Sequence, residues 1–364
     1  MLLVVNAGSS SLKLAVFDQD LAQVAQARAE RIGAGGAADH LAALRTGIAD
    51  MGVDLDRLQC AAHRVVHGGT DFTAPCRIDM AVLAGLEACV PLAPLHNPAN
   101  LTGLRALAAL APDLPQYASF DTAFHATNPA VATTYALPLA DRENGLRRYG
   151  FHGLSYASIV RKLTEMAQDR PYDRLLSFHL GNGASLCAIK AGRSVATTMG
   201  YSPLDGLTMG TRSGAIDGNA VLRLAEVHGI PRASQILNRE SGLLALGGAA
   251  DMRALHLART PAADFAIEHF CYWALRHAGS MIAAMGGLDA IAFTGGIGEN
   301  DFVVREKITV GLGFMGARLN AEANARHALD LHETHSNVAI WLIPAEEELQ
   351  IAIEATKLMT GERA

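Results

Sequence analysis

Two arginines, an aspartate and a histidine stand in settings suited to the chemistry of anions. Arg64 lies in Cys60-Ala61-Ala62-His63-Arg64-Val65-Val66-His67-Gly68-Gly69, a strand-like run closed by paired glycines. A guanidinium fork at such a strand end matches the planar oxygens of a carboxylate or phosphate; a surface salt bridge is the alternative. Arg212 belongs to Met199–Gly214, a segment with four glycines, one proline and little periodicity, which reads as a site rather than a linker. Asp121 follows the strand-like Tyr117–Phe120, a common place for a catalytic carboxylate in α/β folds and equally for a helix cap. His152 sits between Gly150 and Gly153 among Tyr149, Phe151 and Tyr156, so the flanking backbone is free to present its imidazole into a cleft.

Two short, glycine-containing hairpins supply a place for phosphates. The central one, His179-Leu180-Gly181-Asn182-Gly183-Ala184-Ser185, lies between the apolar runs Leu175–Phe178 and Leu186–Ile189. Its tip lacks Cβ atoms at two positions, which lets backbone N–H groups approach an anion, although an ordinary turn has the same look. The N-terminus repeats the layout: Leu2–Val5, then Asn6-Ala7-Gly8-Ser9-Ser10-Ser11, then Leu12–Phe17. Asn6 ends the first strand, where an amide reaches a phosphate or a metal-bound water, and Ser9, Ser11 and Lys13 add donors or simply make the turn. One hairpin opening each half suggests a duplicated domain that grips phosphates between its copies.

Composition narrows the field. The 364 residues suit two domains, and 50% hydrophobic with 18% charged residues describes a globular chain. A net charge of −6 argues against a general nucleic-acid binder. Five cysteines form no C-x-x-C pair and read as buried free thiols of a reducing compartment. No signal peptide or membrane-length apolar run is present, so a cytoplasmic location is expected. None of the five lysines follows a glycine, which excludes a Walker A loop. Gly296-Ile297-Gly298 lacks the third glycine of a dinucleotide fingerprint, no G-x-S-x-G elbow appears, and His332-Glu333-Thr334-His335 has the wrong spacing for a helical zinc pair.

The elements that must position these residues follow in order. Helices are expected over Asp39–Met51, over Ala99–Leu110 with Asn97 as its cap and Pro98 in its first turn, and over Ser155–Ala167. Further helices are expected over Gly218–Val227 and Ala233–Asn238. Thr260–Gly286 reads as one long helix whose face carries Phe265, Ile267, Phe270, Trp273, Ala274, His277, Met281 and Ile282. Strand Leu288–Phe293 leads through the glycine-rich Thr294–Asn300 to a helix starting near Asp301, a nucleotide-binding layout. Strand Val338–Ile343 and Pro344 precede a last helix opening on Glu346-Glu347-Glu348, where acidic residues suit the helix dipole or a phosphate-bound Mg2+.

Taken together, the strings NAGSSSLK (Asn6–Lys13), HRVVHGG (His63–Gly69), APLHNP (Ala93–Pro98), FDTAFH (Phe120–His125), RYGFHG (Arg148–Gly153), HLGNGAS (His179–Ser185), SPLDGLTMGTRSG (Ser202–Gly214), FTGGIGEN (Phe293–Asn300) and PAEEE (Pro344–Glu348) resemble the acetate and propionate kinase family of the sugar kinase/Hsp70/actin superfamily. The resemblance runs from Val4 to about Met359 in the family order. It implies an α/β fold of two duplicated actin-like (ribonuclease H-like) domains with the active site in the cleft between them: 1–125 completed by a C-terminal helix 348–364, and 126–347. It implies a reversible, Mg2+-dependent transfer of the γ-phosphoryl group of ATP to acetate by direct in-line attack, giving acetyl phosphate and ADP; Mn2+ is the expected substitute metal. Propionate kinase activity is the near alternative, and an actin- or Hsp70-like ATPase without a carboxylate acceptor the distant one.

Residue by residue, the resemblance makes Arg64 and Arg212 the holders of the carboxylate and of the transferring phosphoryl group. It makes His152 the imidazole that stabilises the transition state and Asp121 the active-site aspartate. Asn6 and Glu347 match the Mg2+ positions. Lys13, His179, Leu180, Gly181, Asn182, Gly183, Asp251, Met252, Arg253, Gly296, Ile297, Gly298, Glu299 and Asn300 match the ATP-binding segments. Val66, Leu95, Phe151 and Pro203, with Arg64, match the pocket for the short acid. The resemblance further implies a homodimer with small-molecule substrates and neither nucleic acid nor membrane as partner. The chain departs from the family pattern in its short segment before His63, in Tyr156 where His is usual, in Gly295 where Ala is usual, and in Glu346 where Asn is usual.

Overall fold

The computed structural model describes residues 1–167 and 172–361. The chain divides into two compact units, one made of Met1–Ala126, Gly153–Ser158 and the chain from Glu346 onward, the other of Thr127–His152 and Ile159–Ala345.

The first unit is built on a six-stranded sheet of β1 (Leu2–Ala7), β2 (Ser11–Phe17), β3 (Gln23–Glu30), β4 (Cys60–Val65), β5 (Cys76–Arg77) and β6 (Gln116–Phe120), in the order β3-β2-β1-β4-β6-β5. β1 pairs antiparallel with β2 and parallel with β4, and β4 parallel with β6. Alternation along β1 explains why both faces are covered. Leu3 and Val5 join Leu12, Leu14, Leu44, Ile48 and Leu107 beneath helices α1 (His40–Asp50) and α2 (Asn97–Leu110). Leu2 and Val4 face the other way and pack with Ala62, Tyr117, Ile351 and Ala355, the last two from the final helix, Glu347–Thr360. Burial of such a side chain stabilises by about 1.5–3 kcal/mol, which is what draws the C-terminal helix back onto the first sheet. Residues 362–364 of the expected terminal helix lie outside the described residues. The first turn of helix α3 (Gly153–Met166) also belongs to this unit, because Leu154 packs into the same cluster.

Asn97 is the first residue of α2 rather than its cap, which is His96. The Asn97 amide is committed elsewhere: it accepts from the His67 N–H (3.1 Å) and donates to the His67 carbonyl (3.0 Å).

The second unit repeats the plan with β7 (Arg174–Leu180), β8 (Ala184–Lys190), β9 (Arg193–Thr197), β10 (Ala290–Thr294) and β11 (Ala339–Leu342), in the order β11-β10-β7-β8-β9. β7–β8 and β8–β9 are antiparallel, β7–β10 and β10–β11 parallel, so the sequence of pairings matches β3-β2-β1-β4-β6 strand for strand. The duplication suggested by the two hairpins is therefore a duplication of whole sheets. Helix α4 (Met252–Ala258) precedes the long α5 (Pro261–Met285), which is capped by Thr260 and ended by Gly286 at φ 78. Ile267, Phe270, Ala274, Met281 and Ile282 of α5 are buried as expected. Phe265 points outward at 57% exposure. It starts a ladder of rings through His269, Trp273 and His277, spaced four residues apart beside the buried stripe.

The glycine-rich stretch after β10 is itself helical: α6 (Gly295–Asn300) follows the strand directly, and Asp301 separates it from α7 (Phe302–Gly311). Gly295 takes φ 78, and the Glu299 carboxylate accepts from the Gly295 N–H (3.0 Å), which closes this short helix on itself. All five cysteines are free thiols. Among the described residues no helix is long and apolar enough to cross a membrane.

Candidate active site

In the first unit, the parallel strands β1, β4 and β6 deliver Asn6, Arg64 and Asp121 to one edge of the sheet, the carboxyl ends where α/β proteins place their ligands. Arg64 Nε donates to Asp121 Oδ1 (2.9 Å) and Nη2 to Oδ2 (2.6 Å), a fork-to-fork pair. Arg64 Nη1 reaches Asn6 Oδ1 at 3.4 Å. Burial works against the charge of Arg64, but Asp121, with Glu347 and Glu348 behind it, outweighs that and holds the guanidinium well above its ordinary value. Asp121 is therefore no helix cap; its side chain is buried and given to Arg64. The loop after β4 is locked by side chains: Val66 N–H donates to Asn100 Oδ1 (3.0 Å), Gly68 N–H to Thr122 Oγ1 (3.1 Å), and the Asn100 amide to the Ala7 carbonyl (2.7 Å). Nothing in the sequence marks Asn100, because an Asn inside a helix carries no signal of a distant partner.

His63 and His67 flank the arginine as neutral core imidazoles: burial pushes each down to about 4, and His63 Nε2 pairs with Gln116 Oε1 at 2.7 Å. Lys13 stands directly across the β1–β2 ladder from Asn6 and is exposed. Its charge, with that of Arg64, acts on Glu347, the first residue of the last helix. Burial, reinforced by Asp121 and Glu348, still raises the Glu347 carboxyl above its ordinary range. Glu347 accepts no hydrogen bond from a described residue. An underneutralised carboxylate and an amide oxygen are each donors of the kind a hard cation takes while keeping water and phosphate as its other ligands. Among the described residues no group of three or more His, Cys, Asp or Glu is gathered to hold a metal by itself.

In the second unit, His152 occupies the left-handed region at φ 59, a strained position for a non-glycine residue, immediately before α3. Its Nδ1 lies 2.9 Å from Ser185 Oγ, and its ring stacks on His179 with centroids 4.1 Å apart. The glycine tip between β7 and β8 makes room for these groups. A Cβ on Gly183 would lie 3.3 Å from His152 Nε2 and 3.6 Å from Arg212 Nη1. The Gly181 N–H is used within the turn, donating to the Gly183 carbonyl at 3.1 Å. Arg212 donates to the Pro203 carbonyl (3.2 Å) and contacts Met209 Sδ (3.7 Å), with no carboxylate partner among the described residues. Burial, reinforced by the charge of Arg239, pulls it below the ordinary arginine value. A desolvated cation without a counter-charge favours an incoming anion.

The same unit holds a cavity of about 980 Å³ lined by Gly181, Asn182, Asp251, Met252, Arg253, Gly296, Ile297 and Asn300 from the sequence-derived set. It is also lined by His256, Leu257, Asp301 and Phe302, which that set lacked. Six expected contacts do not line it: Lys13, on β2 of the first unit, Gly183, at the β7–β8 tip, and four others. Leu180 is fully buried, Gly298 is buried, His179 stacks on His152, and Glu299 braces Gly295 N–H and Ala345 N–H. Of the expected acid-pocket residues, Val66 is buried and Leu95 is 44% exposed in the first unit. Phe151 is buried and Pro203 half-buried in the second.

Two sheets of like topology, with a cavity at the carboxyl ends of the second, fit the class of a phosphotransferase on two actin-like α/β units. Comparison with known proteins narrows this further. Residues 35–353 match the acetokinase family. The chain is 42% identical, over an alignment of 387 positions, to an acetate kinase of Nitrobacter hamburgensis, covering 98% of this chain and 96% of that protein. Among solved structures, Porphyromonas gingivalis acetate kinase superposes with a TM-score of 0.90 at 33% identity, covering 98% and 99% of the two chains. A propionate kinase from Francisella tularensis gives 0.90 at 34%, covering 97% and 98%. The chain belongs to the acetokinase family.

Proposed function

We propose that this protein catalyses the reversible transfer of the γ-phosphoryl group of ATP to acetate, giving acetyl phosphate and ADP. The observation that carries the reading is the contrast between its two arginines: Arg64 is gripped by Asp121 at the end of β4, while Arg212 is desolvated near His152 with no carboxylate partner among the described residues. An acetate oxygen attacks the γ-phosphorus in line, the bond from that phosphorus to the β,γ-bridging oxygen breaks, and ADP departs with the electron pair. Such a transfer asks for positioning and charge neutralisation more than for covalent help. Arg64, aimed by Asp121, orients the carboxylate; Arg212 and His152 offset negative charge on the equatorial oxygens. The cavity between the β7–β8 tip, α4 and α6 takes the nucleotide. Asn6 and Glu347 would hold Mg2+, or Mn2+ in its place, and the bound ion supplies charge neutralisation to the phosphate oxygens. The working form is a homodimer in the cytoplasm.

Propionate is the second acceptor to weigh, because Leu95 is partly exposed and the Francisella propionate kinase resembles the chain as closely as the Porphyromonas enzyme does. One methylene changes discrimination by only about 10–200-fold. Trapping the acyl phosphate as a hydroxamate, with ATP and acetate, propionate or butyrate, tests the reading. Acetate is expected to give the highest kcat/KM. A clear propionate preference moves the assignment within the family, and ATP turnover independent of any acid overturns it.

A further inference from the structure

The nucleotide cavity contains a His–Asp pair that the phosphoryl-transfer reading does not use. His256, in the last turn of α4, places Nε2 2.8 Å from Asp301 Oδ2. Asp301 stands at the junction of α6 and α7, on the cavity wall formed by Gly296, Ile297 and Asn300. We infer that this pair is a positioning device, which fixes α4 against the α6–α7 junction and so sets the width of the cavity and its affinity for the nucleotide. The inference rests on the cavity being the nucleotide site.

Asp301 divides its duties between its oxygens. Oδ1 accepts from Val303 N–H (3.1 Å) and Val304 N–H (3.0 Å) as the N-cap of α7, and Oδ2 takes His256. Its own N–H donates to the Ile297 carbonyl at 2.9 Å, closing α6. This acceptor is anchored at three points before His256 reaches it, and its side chain is 11% exposed. α4 is the less anchored partner. Met252 and Leu255 are buried, but Leu257 is 81% exposed and the Arg253 side chain, paired within the same helix to Asp251, is 86% exposed. Among the described residues, His256–Asp301 is the one side-chain hydrogen bond joining α4 to the α6–α7 junction. A charge-assisted hydrogen bond to an anchored acceptor is among the stronger small contacts a protein makes. Losing it frees the α4 wall, and the nucleotide must then order that wall as it binds.

Steady-state kinetics of the full chain test this. His256→Leu removes the donor and leaves the α7 cap intact. It is expected to raise KM for ATP about tenfold, with kcat within about twofold and KM for acetate unchanged. His256→Gln, whose amide still donates to Asp301, is expected to recover most of the ATP affinity. Asp301→Asn keeps the Oδ1 cap but removes the charge of the acceptor, and is expected to raise KM for ATP in the same direction by less than His256→Leu does. As a control, Gly296→Phe fills the cavity from α6, where an added Cβ meets nothing within 4 Å. If Gly296→Phe raises KM for ATP and His256→Leu does not, the positioning role is wrong and the nucleotide site stands. If neither variant changes KM for ATP, the nucleotide assignment itself fails. A His256→Leu enzyme that loses kcat and both affinities alongside its melting temperature, without rescue by Gln, shows a merely structural pair and overturns the inference.

Discussion

Arg64 and Arg212 are the same residue in opposite circumstances. Arg64 is charge-balanced before any substrate arrives: Asp121 takes its Nε and Nη2, and the remaining donors are aimed by that grip. Among the described residues Arg212 meets a carbonyl and a thioether, and burial weakens its hold on its proton. The first arrangement confers direction, because a bidentate pair fixes the guanidinium plane. The second confers charge, because among the described residues no carboxylate neutralises it. In the proposed reaction the first would hold the acceptor and the second would stabilise what develops in transit.

Mutation should separate the two roles, and the largest effect is expected at the unbalanced cation. Arg212→Ala is expected to lower kcat by about 10³-fold or more with little change in melting temperature, as for other arginines that meet a transferring phosphoryl group. Arg64→Ala is expected to lose comparable activity and, unlike Arg212→Ala, to lose stability as well, because it strands the buried Asp121 carboxylate. Equal stability losses in the two variants would erase the distinction between them.

Asp121→Asn sharpens the comparison by loosening Arg64 while leaving its charge. Turnover is expected to fall about 10²-fold, mostly through KM for acetate, with the effect on ATP small. A smaller loss, about tenfold, is expected from Ser185→Ala, which removes the hydroxyl 2.9 Å from His152 Nδ1. A Ser185→Thr enzyme retaining activity would tie that loss to the hydrogen bond rather than to packing.

The smallest effect concerns Glu347 and has opposite signs in stability and activity. Its folded-state pKa is raised, so its contribution to stability is fully present below the unfolded value and is lost as pH rises through the folded one. At neutral pH the ionised carboxylate is thus a cost to the metal-free chain. Glu347→Gln is expected to raise the metal-free melting temperature by about 1–3 °C while raising the Mg2+ concentration needed for half-maximal rate. Glu347 protonates above the ordinary carboxylate range, so Mg2+ activation of the unaltered protein is expected to fade, as pH drops, earlier than an exposed glutamate would allow. A melting temperature unchanged by the substitution would remove Glu347 from the set of strained charges.

Local chemistry made much of the site legible. Glycines beside Arg64, His152 and Arg212, and a polar hairpin opening each half, are short-range signals, and the structure realises both hairpins as β1–β2 and β7–β8. Thr260 and Gly286 bound the long helix because a cap and a left-handed stop act within one turn. What lay out of reach depended on partners far along the chain. Asn97 reads as a cap until its amide is seen to be bonded to His67, and nothing near Glu299 in the chain shows that its carboxylate braces Gly295 and Ala345. The glycine tip at Gly183 reads as a phosphate cradle, and the structure adds His152 and Arg212 as the groups it must admit.

By itself the sequence determined which residue types stand at strand ends and turns, because periodicity, capping and glycine permissiveness are properties of neighbours. Only the tertiary structure decided the charge state of the site. Whether an arginine is matched or left bare depends on whether a carboxylate dozens of residues away arrives within hydrogen-bond distance. Asp121 does so for Arg64, and among the described residues no carboxylate pairs with Arg212. Electrostatic energy follows distance and desolvation in space, and neither is written in the order of the chain.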